Sequence, residues 1–285
     1  MTVSARKGAA RWVLGAPLLV FLIVLVAYPI GSALWTSLTN SALTNPEPAF
    51  VGVQNYSAVL GDQVFWASLG FTVLYTVSVT AIEFVLGTAL ALMLFRLVGS
   101  ARTLLTFLLL PIMIAPSLMG VMFRLLLNDD IGVGAHIMRA LGLHGSPFAA
   151  SNVIPLLITL DVLQWTPLVA LIVYAGLLTI PGEVLEAARM DGAGWGRQIA
   201  HIVLPLVRRV IIVALFLRGI DAFRTFDVIY ILTGGGPGVK TTSLSIYVYN
   251  RAFADGEFGI AAAAAFLVML IVIPIIPSMV KRLVS

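Results

Sequence analysis

Six ionisable side chains lie deep inside apolar runs of this sequence: Glu83, Asp161, Arg218, Asp221, Arg224 and Asp227. A charge at the centre of a bilayer costs ~2.5–3.5 kcal/mol even on a lenient insertion scale, so each must face protein or water rather than lipid. Arg218, Asp221, Arg224 and Asp227 alternate in sign at every third residue. Either they form a self-neutralising ladder worth little beyond making the helix tolerable, or single members line a transport path. Steps of three carry the ladder around the helix, so all four cannot line one cavity, and some are expected to meet a neighbouring span. Asp161, Gln164 and Trp165 fall at i, i+3 and i+4, which places a carboxylate, an amide and a large ring on one helix face. Sugars need that combination: planar hydrogen-bonding groups for hydroxyls and an aromatic surface for the apolar C–H face of the ring. The competing reading is a packed polar contact between spans. Glu83, standing alone, fits a structural hydrogen-bonding group better than a ligand. The candidate solute path is therefore Asp161, Gln164, Trp165, Asp221, Arg224 and Glu83.

Covalent and metal chemistry find no such set. There is no cysteine, and His136, His144 and His201 are scattered. The sequence has no H-E-x-x-H, and no Ser/His pair is expected on facing spans. Gly234 to Gly238 is not followed by Gly-Lys-Ser/Thr, so it is not a phosphate loop. No catalytic residue, metal site or cofactor is expected of this chain, and the net charge of +4 is explained by placement rather than by a nucleic-acid partner.

The elements that must hold these residues are apolar. Hydrophobic residues make up 60% of the chain, charged residues only 11%, and the mean hydropathy is +1.05. A soluble domain carries roughly 25% charge, so the class is all-α, polytopic membrane protein. Six runs reach the ~20 apolar residues that cross a bilayer: about 12–38, 66–95, 104–127, 153–178, 204–232 and 258–280. The first run resembles a signal peptide but is too long and lacks a small-x-small cleavage site, so an uncleaved span is expected. Pro111 and Pro116 interrupt the third run. An interfacial helix is expected at about 135–141. With no internal repeat and no low-complexity linker, residues 1–285 read as a single membrane domain.

Between the fourth and fifth runs lies a polar interval, Glu186 to Pro205, reading EAARMDGAGWGRQIAHIVLP. Pro181 suits the start of a short helix. Val184, Leu185 and Ala188 should share its buried face, and Asp191-Gly192 should end it, because glycine takes the left-handed conformation that helix ends need. A second short helix is expected next, with Trp195, Ile199 and Ile202 on one side, and Pro205 to open the next run. Such a knuckle suits either an external grip or an amphipathic loop resting on the bilayer surface.

Orientation is set by Lys and Arg near span ends. The N-terminus carries Arg6, Lys7 and Arg11; the loop after span two, Arg96 and Arg102; the knuckle region, Arg189, Arg197, Arg208 and Arg209; the C-terminus, Lys281 and Arg282. The opposite connectors hold Arg139, Lys240 and Arg251 among six carboxylates. Both termini and the knuckle are expected on the cytoplasmic side of the cytoplasmic membrane.

The knuckle resembles the EAA loop of permease subunits from binding-protein-dependent ABC importers, whose pattern is Glu-Ala-Ala, two residues, Asp-Gly-Ala and a closing Leu-Pro. Here Glu186-Ala187-Ala188, Asp191-Gly192-Ala193 and Leu204-Pro205 stand at that spacing. Phe50-Val51-Gly52-Val53-Gln54-Asn55-Tyr56 is similar to the outer segment of MalF/UgpA-type carbohydrate permeases, as is Phe226 to Pro237; Tyr247, Tyr249, Ala252-Phe253 and Phe258-Gly259 continue the likeness. Departures occur at Gly70-Phe71-Thr72, where the family usually has Asn-Thr, and at Gly134-Ala135, where Gly-x-Asn is common.

The resemblance implies the type I ABC importer permease fold, with six transmembrane helices and a cytoplasmic coupling helix at about 181–204. It implies that Glu186, Ala187, Ala188, Asp191, Gly192 and Ala193 dock into a cleft of an ATPase subunit and carry its power stroke. The implied partners are a second homologous permease, two ATPase subunits that bind ATP and Mg, and an extracytoplasmic sugar-binding protein or lipoprotein. The implied solute is a disaccharide or oligosaccharide, with a polyol or glycerol phosphate as the same-family alternative. From a different class, a proton-coupled secondary transporter could use Glu83 or Asp161, but would leave the knuckle without a purpose.

Overall fold

Apolar side chains and backbone groups that must bond within their own segment leave helices as the available structure. The computed structural model describes residues 16–18, 20–97, 101–140, 142 and 145–274, which are helical apart from connectors and two isolated bridges. Among them, four stretches are long and apolar enough to cross a membrane. These are Ala16–Ser37 (α1), Gln63–Arg96 (α3), Val153–Leu177 (α7) and Trp195–Thr233. Two shorter apolar helices, Pro116–Leu126 (α5) and Phe258–Val272 (α12), occupy the third and sixth expected runs. The start of the first run, the end of the sixth, and the basic residues at both termini lie outside the described residues.

Contacts divide the chain into two units. In the unit formed by Met1–Gln63 and Tyr247–Ile273, α12 packs on α1 and on the short helix Gln54–Gly61 (α2). The F-V-G-V-Q-N-Y segment makes this packing possible. Gly52 turns the chain at φ +61°, and Asn55 Nδ2 donates to the carbonyls of Ser37 and Thr39, both at 2.8 Å. These are carbonyls at the end of α1 that no later turn can satisfy. Tyr56 Oη lies 2.7 Å from Ser37 Oγ. Gly259 fits because a Cβ there would stand 2.3 Å from the Thr39 carbonyl oxygen.

In the connector before α12, Arg251 contacts Asp62 at 2.6 Å, Asp255 at 3.2 Å and Glu257 at 3.1 Å. Tyr247 donates to Asp62 at 2.7 Å. Burial and then that hydrogen bond push the Tyr247 hydroxyl up to about 12. Burial opposes the Arg251 charge, but its bonds to Asp62 and Tyr247 hold it above the ordinary arginine range.

The second unit, mainly Val64–Ile246, contains α3, α5, α7, the short helices Ala101–Leu108 (α4) and Val133–Ala140 (α6), the knuckle and the fifth apolar run. Prolines decide where its third run breaks. After α4 comes a 3-10 turn, Leu110–Met113, with Pro111 in its first turn, then an extended step at Ile114 and Ala115 before Pro116 opens α5. The expected interfacial helix is α6, which begins two residues earlier than expected; Leu141 lies outside the described residues.

Lipid gives helices no hydrophobic reason to associate, so close backbone approach carries the packing. Gly87 of α3 sits where a Cβ would lie 2.8 Å from Val169 Cβ of α7, and Gly176 of α7 where one would lie 2.9 Å from Val210 Cγ1. Gly87→Ala is expected to cost about 1–3 kcal/mol through overpacking. A lowered temperature for loss of monodispersity in detergent checks this; an unchanged one would show that α3 and α7 can part without cost.

The knuckle departs from expectation in two ways. Its helix, Gly182–Met190 (α8), buries Leu185 and Ala188 but leaves Val184 exposed. One residue is ~100° of helix rotation, and the Leu185/Ala188 stripe that reaches the spans turns Val184 away. Nor is the second helix separate. Trp195–Gln198 runs through a π turn at Ile199–Val203 into Leu204–Phe223, so residues 195–223 form one helix (α9). A proline ring clashes with the carbonyl four residues back in an α-helix. The Leu204 N–H instead reaches Ile199 O, five residues back, and this wider turn accommodates Pro205 without a break.

Candidate functional site

The intramembrane charges converge from three helices. Arg218 of α9 is 2% exposed, with Glu83 of α3 at 0% and Asp161 of α7 at 5%. Its Nη2 donates to Glu83 Oε1 at 2.9 Å and its Nε lies 2.7 Å from Glu83 Oε2. The same Nη2 pairs with Asp161, whose other oxygen accepts from the Tyr75 hydroxyl. Asp221 stands 3.4 Å from Arg218 Nη1 and 3.2 Å from Arg224 Nη2. The Arg218 guanidinium lies over the Trp165 ring, 5.3 Å from its centre. Each buried charge is thus paired, as the cost of desolvating it demands.

Beside this cluster opens a cavity of about 450 Å³, lined by Pro116, Asp161, Trp165, Asp221, Arg224, Thr225, Phe226, Asp227 and Val228. That volume is within the ~300–1,000 Å³ typical of small-molecule sites. Four of the six candidate path residues, Asp161, Trp165, Asp221 and Arg224, stand in its wall. Glu83 lies behind it, holding Arg218. Gln164 is turned elsewhere: its Nε2 donates to the Ile114 carbonyl at 2.9 Å, at the break in the third run.

The ladder of charges is not on one unbroken helix. Leu204–Phe223 ends at Arg224, and a new helix, Asp227–Thr233 (α10), begins after Phe226 at φ −128°. The break resets the phase, so Asp221, Arg224 and Asp227 all reach the cavity while Arg218 points away from it into the cluster. Ser243, just ahead of the short helix Leu244–Tyr249 (α11), and Ser245 within it replace the missing helical bonds. Ser243 Oγ donates to Thr225 O and Ser245 Oγ to Arg224 O, both at 3.1 Å. Farther along, Gly234 closes α10 at φ +62°, and Arg124 Nη1 donates to Ile231 O at 3.0 Å.

The knuckle gives the Glu-Ala-Ala…Asp-Gly-Ala spacing a physical meaning. Gly192 has φ +76°; its N–H bonds Arg189 O at 3.0 Å, and the Ala193 N–H bonds Ala188 O at 2.9 Å. These two bonds are a Schellman closure, with Asp191 as the C-cap and Gly192 just beyond it. Gln198 Nε2 adds a bond to Ala193 O at 2.7 Å, fixing the turn to the start of α9. Ala188 is buried and Ala193 half-buried, whereas Glu186, Ala187, Met190, Asp191 and Gly192 are exposed. Met190 is 88% exposed, an apolar side chain raised between Arg189 and Asp191.

Sequence reasoning missed Tyr75, Ser243 and Ser245. The mostly polar Thr241 to Ser245 stretch was the only signal for the two serines, and a serine pair says nothing about which carbonyls it serves; Tyr75, inside an apolar run, gave none.

Comparison with known proteins adds the family. Residues 83–284 match the model of the binding-protein-dependent transport system inner membrane component. The trehalose/maltose transport system permease protein MalF of Thermococcus litoralis is 35% identical, covering 94% of this chain and 91% of that protein. The trehalose transport system permease protein SugA of Mycobacterium tuberculosis is 34% identical, covering 90% and 83%. The fold matches, with a TM-score of 0.84 at 20% identity over 99% of this chain and 100% of that one, the crystal structure of a bacterial ABC transporter involved in import of the acidic polysaccharide alginate. With this match over residues 83–284 and these relatives across most of its length, the chain belongs to the family of binding-protein-dependent transport system inner membrane components.

Proposed function

We propose that the chain is one of two permease subunits in an ATP-driven importer that carries a disaccharide or oligosaccharide across the cytoplasmic membrane. The observation that carries the reading is the knuckle. It is a short helix locked by a Schellman turn, anchored through Leu185 and Ala188, and offering Glu186, Ala187, Met190, Asp191 and Gly192 to a partner. The partners would be two ATPase subunits, which bind ATP and Mg, a second homologous permease, and an extracytoplasmic binding protein that delivers the sugar. This chain itself would bind no cofactor and catalyse no covalent step. Sugars named in its relatives, trehalose and maltose, support the solute class.

The test is uptake in proteoliposomes holding the whole complex: it should require ATP and ignore a proton gradient, and the reverse dependence would establish a secondary transporter. In the same vesicles, Trp165→Ala should lower uptake of the sugar about tenfold at sub-saturating concentration by removing the aromatic wall of the cavity. Assembly and basal ATP hydrolysis should remain. Parallel loss of uptake and of assembled complex would return Trp165 to a packing role. Orientation is tested separately. A membrane-impermeant thiol reagent should label Lys240→Cys in intact spheroplasts and miss Ser285→Cys, and the opposite pattern would place the knuckle outside the cell and end the coupling reading.

A further inference from the structure

The cavity wall is electrically unbalanced. It carries three carboxylates, Asp161, Asp221 and Asp227, against one guanidinium, Arg224. The other cation of the cluster, Arg218, is 2% exposed, enclosed by Glu83, Asp161 and Asp221, and is not part of the cavity wall. Arg224 is exposed, but Asp221 pairs with it at 3.2 Å and Asp227 shares its wall. Asp227 makes no ion pair among the described residues. Two aromatic rings complete the wall. Trp165 and Phe226 offer apolar surface, Phe226 held by stacking on Tyr230 at 4.9 Å between centres. Hydroxyl groups can donate to the carboxylate oxygens left over, while an added phosphate, sulfonate or uronate would enter the field of an acidic wall.

Resting on the importer reading, we propose that this cavity selects uncharged polyhydroxylated solutes, such as neutral disaccharides, and rejects their anionic counterparts. Rejection is electrostatic: a like charge brought against this acidic wall costs more than the hydrogen bonds it adds. Family membership does not decide this, since one neighbour of the same fold takes part in importing an acidic polysaccharide. Asp227 is the residue that tips the balance, because Asp161 and Asp221 already serve Arg218 and Arg224.

The measurement is calorimetric titration of the complete complex in nanodiscs with trehalose, maltose, trehalose 6-phosphate and glycerol 3-phosphate. A neutral disaccharide should bind at least about tenfold more tightly than either phosphate ester. Asp227→Asn, an exposed and nearly isosteric change that leaves every observed ion pair intact, should narrow that ratio several-fold by improving the phosphate esters. The narrowing should shrink as salt rises. Equal affinity for trehalose and trehalose 6-phosphate in the native complex overturns the proposal, as does a ratio that Asp227→Asn leaves unchanged. Binding of none of the four, with ATP-driven uptake intact, also overturns it but spares the importer. Uptake that ignores ATP instead overturns the importer reading itself.

Discussion

Arg218→Ala is expected to abolish the assembled permease. Its removal strands Glu83 and Asp161, 0% and 5% exposed, against each other with no cation between them. Breaking a buried ion pair in this way costs about 3–5 kcal/mol, a large share of the ~5–15 kcal/mol that holds a folded domain. Three helices would lose their common contact at once, because the pairs join α9 to α3 and to α7. The destabilisation comes from the stranded carboxylates more than from the lost attraction, so removing them too should reverse it. The triple variant Arg218→Met, Glu83→Gln, Asp161→Asn should regain most of the yield of monodisperse protein. Size-exclusion profiles of the three-way comparison decide the matter. A single variant that assembles as well as the native chain would mean the cluster contributes nothing to the fold, and a triple variant no better than the single one would assign the loss to shape rather than charge.

Gly192→Val should uncouple ATP hydrolysis from transport. The left-handed conformation at φ +76° costs a residue bearing a side chain ~1–2 kcal/mol, and a β-branched residue is the least able to adopt it. Nothing stands within 4 Å of a Cβ placed there, so the effect is conformational and not a clash. The turn would open, releasing the Ala193–Ala188 bond and the aim of Glu186, Met190 and Asp191. The variant should insert and pair normally but retain ATPase subunits weakly, or hydrolyse ATP without driving uptake. Gly192→Asn, which tolerates the left-handed region, should be nearly silent. Co-purification of the ATPase and binding-protein-stimulated hydrolysis in proteoliposomes provide the readout. Full attachment, stimulation and uptake in Gly192→Val would sink the coupling role of the knuckle.

These two sites differ in how far the sequence could reveal them. The turn at Gly192 is built from neighbours: its bonds join residues three and five apart, and an Asp-Gly pair after an apolar stripe announces it. The Arg218 cluster joins residues 57 and 135 positions apart. Sequence periodicity finds that each charge needs a partner but carries no information about which helix supplies it. The same limit separates Asp161 and Trp165, which share the cavity wall, from Gln164, whose place on the same turn could not show that a broken backbone at Ile114 would claim its amide. The restart of the helix after Phe226 escaped detection for another reason. No proline or glycine marks it; the bonds from Ser243 and Ser245 make it tolerable, and both donors come from beyond the next turn.

The π turn at Ile199–Val203 fixes something subtler than the survival of the helix around Pro205. A π turn is an α-helix holding one residue too many, and each residue is worth ~100° of rotation and ~1.5 Å of rise. The knuckle is therefore dialled by about that angle relative to where an uninterrupted helix would have pointed it. A one-residue deletion within 199–203 would swing the upstream segment around the axis and hand Pro205 back the clash that the extra residue relieves.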